Sequence, residues 1–405
     1  MDMTNAPARR YAPDERARRR PPQERPAGKG RVRKKFRIFS VRSGMDLPFF
    51  FLVLVLVVIG LVMMFSASYA NAYYRFGNSY YFIIRQAAFA VIGVAAMIFI
   101  SYFDYHHLHK FAVPLLLFSF ALLVVVKFMP QPTGAGGVHR WITLGPLGQF
   151  QPSEIAKFAV ILVFAHLISL NFSRMGTFRY GVLPYLLILG MTDALLLWEP
   201  HVSATVILTL LAGVMLFIGG IKLRWFGVAF GAIGAGVVYL VLFTKEFSYA
   251  NDRIAGWLDP FSVYQTKQSL FAIGSGGLLG LGLGQSRQKY LYLPEPQNDF
   301  IFAIVCEELG FIGALIIIIL FAMLVWRGIS IALHATDKFG MLLGIGIVLQ
   351  VGFQVILNIA VVTNTIPNTG ISLPFFSYGG TSLDVLLAEM GVVLSISRTS
   401  SIEKT

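Results

Sequence analysis

Apolar residues in this chain fall in long runs, not in the alternation of a half-buried strand or the three-and-four spacing of an amphipathic helix. The first, Leu47 to Phe65, is 19 residues without a charge. A helix rises 1.5 Å per residue, so about 20 such residues cross a hydrocarbon core of about 30 Å. Ten runs are candidates, near 46–66, 82–101, 111–130, 152–171, 182–198, 202–220, 224–243, 300–326, 339–363 and 376–397. The predicted fold class is an all-α polytopic membrane protein of about ten transmembrane helices, with a long extracytoplasmic loop, 244–299, between spans seven and eight. Glu199-Pro200-His201 makes the tight turn between the fifth and sixth spans. Within the long loop, Pro260 to Ile273 mixes aromatic residues with Lys267 and Gln268, which suits a short helix lying at the membrane surface.

Composition agrees with the runs. Hydrophobic residues make up 56% of the chain and charged residues 13%, against about 25% charged in a soluble domain. A soluble enzyme and a secreted module are excluded. The single cysteine, Cys306, excludes an intrachain disulfide and a cysteine-based zinc site. It sits in an apolar run and reads as a small buried hydrophobe.

The formal net charge is +13, and residues 1–44 carry +10 of it, from fourteen Lys/Arg and four Asp/Glu. That segment is rich in Pro and Gly and is expected to be a disordered basic cytoplasmic tail. Its charge holds that side of the first span inside, with attraction to anionic lipid as an extra; nucleic-acid binding is not expected. A basic start before an apolar run also resembles a signal peptide. A 19-residue run exceeds the usual core of about 7–15 residues, and more spans follow, so an uncleaved helix is expected. The short loops on the tail's side carry Lys110, Arg174, Arg179, Lys222, Arg224, Arg327 and Lys338; those opposite carry Arg75 and Arg140. This asymmetry predicts both termini in the cytoplasm, residues 45–398 as the membrane domain, and 399–405 as a short cytoplasmic tail.

Four stretches carry candidate chemistry. In LPEPQNDFIFAIVCEELG, residues 293–310, Asp299 stands at the mouth of the eighth span. It reads either as a helix N-cap or as a carboxylate beside a lipid headgroup, acting as general base or holding a metal ion. Glu307 and Glu308 lie about 12–13 Å deeper along the helix. Two carboxylates there need a partner or a cavity, and a structural ion pair with Lys157 is the expectation. In GVHRWITLGPLGQFQPSEIAKF, residues 137–158, Glu154 and Lys157 share a helix face at i,i+3, which predicts an internal salt bridge or a lysine that meets phosphate. Arg140 and Trp141 sit where a headgroup would. In NTGISLPFFSYGGTSL, residues 368–383, Gly379 and Gly380 with the hydroxyls of Ser377, Thr381 and Ser382 form either an anion-receiving nest or a plain turn. In GSGGLLGLGLG, residues 274–284, no strand–helix context supports a dinucleotide site, so flexibility or close packing is expected. Outside these stretches, Arg85 and Gln86 lie inside the second span. His106, His107 and His109 cluster on a loop that reads as solvated, with a metal site as the alternative.

Together these stretches resemble the SEDS family, the FtsW, RodA and SpoVE proteins of shape, elongation, division and sporulation. The resemblance covers about residues 46–398 and omits the basic tail. EPHVSAT at 199–205 makes the chain more similar to the FtsW/SpoVE branch, because RodA-like members usually have a QPD-type turn there. Asn298 stands where the family often has Thr. The resemblance implies polymerisation of peptidoglycan glycan strands from lipid II, a disaccharide-pentapeptide on undecaprenyl diphosphate. An α-linked donor and a β-linked product imply one in-line displacement with inversion. Asp299 is the implied catalytic carboxylate, acting directly or through a divalent cation (Mg or Mn), with no organic cofactor. Glu154 and Lys157 match the family's buried charged pair. The expected substrate-binding set is Arg85, Arg140, Trp141, Lys157, Arg253, Lys289, Ser377, Gly379 and Gly380. The implied partners are a class B penicillin-binding protein, a single-span transpeptidase, and other division or sporulation proteins. The implied location is the bacterial cytoplasmic membrane with the site on its outer face. Two other readings share these features. One is a lipid II flippase using Arg85, Glu154, Lys157, Glu307 and Glu308; the other is a non-catalytic scaffold.

Overall fold

The computed structural model describes residues 44–129, 140–143, 149–228, 253 and 255–400. The predicted basic tail before Gly44, the seventh run beyond residue 228, the loop segment 244–252 and the tail after residue 400 lie outside the described residues. The helices are α1 (Leu47–Phe76), α2 (Tyr81–Tyr102), α3 (Leu108–Phe128), α4 (Pro152–Asn171), α5 (Leu183–Trp198), α6 (Val202–Ile218), α7 (Tyr264–Gly276), α8 (Ile301–Leu333), α9 (Lys338–Val362) and α10 (Gly380–Thr399). Two short strands, β1 (Ile142–Thr143) and β2 (Gln149–Phe150), pair antiparallel before α4. Among the described residues eight helical segments are long and apolar enough to cross a membrane, and α6 is a shorter apolar helix. Nine of the ten predicted spans are therefore present as helices.

The helix ends follow local chemistry. Asp46 caps α1 by accepting from the Phe49 N–H at 3.0 Å, and α1 stops where Gly77 adopts φ +67° and donates to Tyr73 O at 2.8 Å. The buried Asp46 also takes a forked contact from Arg327, Nη2 to Oδ2 at 2.7 Å and Nε to both oxygens at 3.1 Å. Arg327, read from the sequence as a loop charge, thus lies inside α8, which runs on to Leu333. Small residues bring α2 and α10 together: a Cβ on Gly391 would stand 2.7 Å from Met97 O, and one on Gly93 would stand 2.6 Å from Leu387 Cδ1. In the middle of the bundle α4 and α9 are mostly buried, while α2 and α3 present Val91, Ile92, Phe99, Leu117 and Phe118 outward.

The long loop does not stay outside the bundle. From residue 255 it folds in. Thr266, Ser269, Ala272 and Gly276 form the buried face of α7. Ser269 Oγ donates to Val362 O at 2.9 Å, and a Cβ on Gly276 would meet Cys306 O at 1.9 Å. The predicted surface helix is thus a packed one, because small residues at three- and four-residue spacing let its backbone approach α8.

The chain after α7 then repairs a break in α8. Gly310 has φ +68° and ψ −171°, which no helix tolerates. The helix would otherwise bond Phe311 N–H to Glu307 O and Ile312 N–H to Glu308 O. Instead Phe311 donates to Gly277 O at 2.9 Å and Ile312 to Leu278 O at 3.1 Å. The freed carbonyls of Glu307 and Glu308 accept from Leu281 at 2.9 Å and Gly282 at 3.0 Å. Non-helical backbone at this depth needs such partners. The Gly-rich run exists for close packing: a Cβ on Gly280 would stand 2.2 Å from Glu308 O, and one on Gly310 would stand 2.2 Å from Gly280 N.

The two glutamate side chains complete the junction. Glu308 accepts from Ser66 Oγ at 2.7 Å, Gly284 N at 2.9 Å and Ser286 N at 3.2 Å, and pairs with Lys289 Nζ at 3.0 Å. Glu307 accepts from Ser286 Oγ, from Arg287 N at 3.0 Å and from Gln288 N at 3.3 Å. The partner of the pair is therefore Lys289 and not Lys157. Lys289 leaves the substrate-binding set, because its ammonium is buried against Glu308, Ser66 and Gly284 O.

Glu308→Gln and Lys289→Met are each expected to cost about 3–5 kcal/mol, since each leaves a buried charge without its partner. The double variant should cost less than the sum, as read by thermal unfolding of the purified protein. Gly310→Ala is expected to prevent folding, because both the backbone angle and the space forbid a Cβ.

Candidate functional site

A cavity of about 770 Å³ opens between α2, the β1–β2 hairpin, the start of α4, the α5–α6 turn and the approach to α8. Its wall includes Arg85, Arg140, Trp141, Glu154, Lys157, Asp299, Gly379 and Gly380. Eight of the predicted site residues thus meet in one place although they span almost three hundred positions of the chain.

Asp299 is placed by its backbone. Three consecutive carbonyls are each held by a different group: Gln297 O accepts from Tyr378 N at 2.8 Å, Asn298 O from Ser377 Oγ at 2.7 Å and Asp299 O from Asn358 Nδ2 at 2.8 Å. Asn358 also donates to Ile371 O at 2.6 Å, which binds the 368–383 stretch to the same point. Upstream, Glu295 pairs with Arg75 and accepts from Gln297 Nε2 at 2.8 Å and Asn298 Nδ2 at 3.2 Å. With its backbone clamped, Asp299 turns its half-buried carboxylate to the cavity beside Gly370, where a Cβ would lie 3.1 Å from Oδ2. The N-cap reading does not hold: Phe300 is the cap residue of α8, and no side chain caps that end.

Burial raises the Asp299 carboxyl to about 6; Arg140 and then Arg253 pull it down, and Glu295 adds to the rise. The two arginines therefore do not leave it a weak base. Desolvation disfavours the charged carboxylate by more than the cations favour it.

The cations are fixed in turn. Lys157 is 2% exposed and pairs with Glu154 at 2.9 Å, as the i,i+3 spacing predicts. Arg85 lies 4.2 Å from the centroid of the Tyr81 ring. Arg140 donates to Pro200 O. Arg253 stands off the cavity wall and donates to Asn368 O at 2.5 Å, so it acts on Asp299 through space.

The expected anion nest is spent on the fold. Ser377 Oγ accepts from Leu373 N at 2.8 Å while donating to Asn298 O, so it is a staple and not a ligand group. Gly379 N donates to Gln86 Oε1 at 3.3 Å. Thr381 Oγ1 donates to Gln149 O and Ser382 Oγ to Gly379 O, both at 2.8 Å. Gly380 admits the Phe89 ring, which a Cβ would strike at 2.1 Å. Sequence reading passed over Gln151, His201, Gln354 and Tyr378 on the wall, and Asn358 behind it. The available signal was a polar residue inside an apolar run, as with Gln354 and Asn358 on α9. At the other end of α3, His106 Nδ1 lies 2.6 Å from Asp104 Oδ1 and His109 Nδ1 lies 2.7 Å from His166 Nδ1. Among the described residues no group of three or more His, Cys, Asp or Glu is disposed to hold a metal ion.

Residues 46–402 match the family model described as cell cycle protein, FtsW/RodA/SpoVE. The chain belongs to this family. It is 43% identical over 365 residues to the stage V sporulation protein E of Bacillus subtilis (strain 168), covering 89% of this chain and 98% of that protein. It is 41% identical over 362 residues to the probable peptidoglycan glycosyltransferase FtsW of Geobacter sp. (strain M18), covering 88% and 97%. Among solved structures, a chain from a study of polymerization and crosslinking by a peptidoglycan synthase complex superposes with a TM-score of 0.72 at 26% identity, covering 87% of this chain and 98% of that one. The Thermus thermophilus rod shape determining protein RodA gives 0.64 at 27% identity, covering 89% and 98%. The two solved chains thus share this fold over most of its length.

Asn358→Leu keeps the volume but leaves the carbonyls of Asp299 and Ile371 unpaired. It is expected to cost about 1–3 kcal/mol per orphaned group, seen as a lower melting temperature of the purified protein.

Proposed function

We propose that the protein is a peptidoglycan glycosyltransferase that polymerises lipid II into glycan strands, displacing undecaprenyl diphosphate with inversion. The observation that carries this reading is the pairing, in one cavity, of a carboxyl near neutral pKa with Arg85, Arg140 and Lys157. A carboxylate of that strength suits a base working near pH 7. It takes the proton from the acceptor sugar hydroxyl as that oxygen attacks the donor carbon. The cations hold the diphosphate and stabilise the charge it gains on leaving. The apolar outer faces of the helices receive the polyprenyl chain. No nucleotide is needed, because the diphosphate bond stores the energy.

A divalent ion at Asp299 would find one carboxylate there, since Glu295 is committed to Arg75 and two amides. It would draw its other oxygens from water and from the substrate, as Mg commonly does, and would add Lewis acidity at the reacting oxygens.

The excess of Lys and Arg on the tail's side supports an extracytoplasmic cavity with both termini inside. A class B penicillin-binding protein is the fitting partner, because polymerised strands require crosslinking. The outward residues Phe311, Ile312, Ile316, Met323 and Trp326 of α8 offer its single helix an apolar face. The relatives support a role in division or sporulation.

Reconstituted with lipid II, with and without the partner and divalent ions, Asp299→Asn is expected to slow strand synthesis about 10²–10⁴-fold. Equal rates would reject the reading in favour of a flippase or scaffold. For the wild type, kcat/KM should fall on the acid side with an apparent pKa of about 6, because the base must be ionised. A carboxyl whose folded pKa exceeds its unfolded value costs stability once pH passes the unfolded value, and the cost is complete above the folded one. Asp299→Asn is therefore also expected to raise stability above pH 6 by on the order of 1–3 kcal/mol, read as a higher melting temperature.

A further inference from the structure

The turn between α5 and α6 forms a part of the cavity wall that the mechanism above leaves idle. His201 lines the cavity but is only 6% exposed. Its Nε2 faces the Gln151 side-chain Nε2 at 3.5 Å. Its Nδ1 is buried without a hydrogen-bond partner. With the Gln151 amide nitrogen turned toward it, Nε2 stands as the acceptor of this contact, which leaves the ring hydrogen on Nδ1.

The charged groups around this ring come from every side. Arg140 donates to Pro200 O, one residue away. Lys157 reaches in from α4 and is paired with Glu154. Glu199 precedes the turn, with both carboxylate oxygens buried and without partners. Asp299 lies on the same cavity wall. Burial, then Arg140, then Lys157 hold the imidazole well below the usual histidine range. The cavity thus carries its fixed cations without adding one at His201.

An anionic oxygen has only lone pairs to offer, so an acceptor nitrogen cannot bond it. Nε2 can hold such an oxygen only when it carries a hydrogen, which either shifts across from the unpartnered Nδ1 or is gained from solvent; only the second leaves the ring charged. A diphosphate entering beside Arg140 and Lys157 offsets the positive field that keeps the ring neutral, and itself favours the charged form.

We propose that His201 is a substrate-contacting residue that takes one proton from solvent as the donor's diphosphate enters, then donates a hydrogen bond from Nε2 to a non-bridging oxygen of that group. This rests on the glycosyltransferase reading. In the reaction the acceptor oxygen bonds to the donor carbon, and the electron pair of the breaking carbon–oxygen bond leaves with the diphosphate. The acceptor proton goes to Asp299. His201 keeps its proton until the diphosphate departs, and then returns it to solvent. Binding and release of the donor are thereby linked to one reversible protonation, separate from the chemical proton on Asp299.

The test uses the full-length protein carrying Asp299→Asn, so that the donor binds without turning over. The probe is lipid II, whose diphosphate diester carries no proton near neutral pH. Titration calorimetry in buffers of different ionisation enthalpy reads the protons taken up. The expected result is uptake approaching one proton near pH 7, lost when His201→Asn or His201→Gln is added. Affinity should fall by up to about tenfold per pH unit as pH rises between the free and bound pKa of the ring, and stay flat in both histidine variants. Uptake should persist with Glu199→Gln, although burial raises that carboxyl to about 8, against Arg140 and Lys127. Uptake unchanged in the folded histidine variants, or abolished by Glu199→Gln, overturns the proposal. Strand synthesis that depends on Asp299 but shows no histidine-linked proton sinks this inference alone. Synthesis indifferent to Asp299 sinks the glycosyltransferase reading as well.

Discussion

Two adjacent glutamates buried at the break in α8 determine where the reactive end of this molecule lies. A carboxylate taken from water into an apolar bundle costs several kcal/mol unless its lone pairs are filled. Glu307 and Glu308 fill theirs mostly from one stretch, residues 284–289, with Ser66 of α1 and Ser275 of α7 contributing from outside it. The stretch can take no other position without stranding both charges. Because it is held there, the chain emerging from it reaches the LPEPQND approach at a set height, and Asp299 follows. The break at Gly310 belongs to the same arrangement, since the backbone groups it frees are those the Gly-rich run uses. A packing device deep in the bundle thus sets the position of a carboxylate at its rim.

The cavity resolves a conflict that its charges create. Cations suited to a diphosphate also depress a neighbouring carboxyl and would weaken it as a base. Here Asp299 is recessed enough for desolvation to outweigh Arg140 and Arg253, while Lys157 is balanced by Glu154. The carbonyl clamps behind Asp299 let the carboxylate face the cavity instead of capping its own helix. A charge so placed strains the resting protein, and that strain is the physical origin of its basicity.

Much of the fold was legible in advance. A residue in hydrocarbon is charged its transfer cost locally, so uninterrupted apolar runs marked nine of the helices now observed, and α1 and α8 differed mainly in running further. Asp299, Arg85, Arg140, Trp141, Glu154 and Lys157 were legible as polar groups at span mouths or inside spans, and all of them line the cavity. Ser377 and Lys289 were misread for one reason. A hydroxyl or ammonium in a sequence looks available, and only its neighbours in space show that it is already taken. His201 was passed over because a turn between two helices gives no sign of facing a cavity.

What the sequence determined by itself is the solvent and the period: a chain for a bilayer, its spans, its charge asymmetry and the motifs that mark its family. These depend on composition within about 20 residues, the distance a helix takes to cross the hydrocarbon. What the tertiary structure decided is partnership. Ser66 and Glu308 are 242 positions apart, and Ser377 and Asn298 are 79 apart. Whether such groups bind each other or a substrate depends on ångström distances between helices, and those follow from packing the whole bundle, not from any local run of residues.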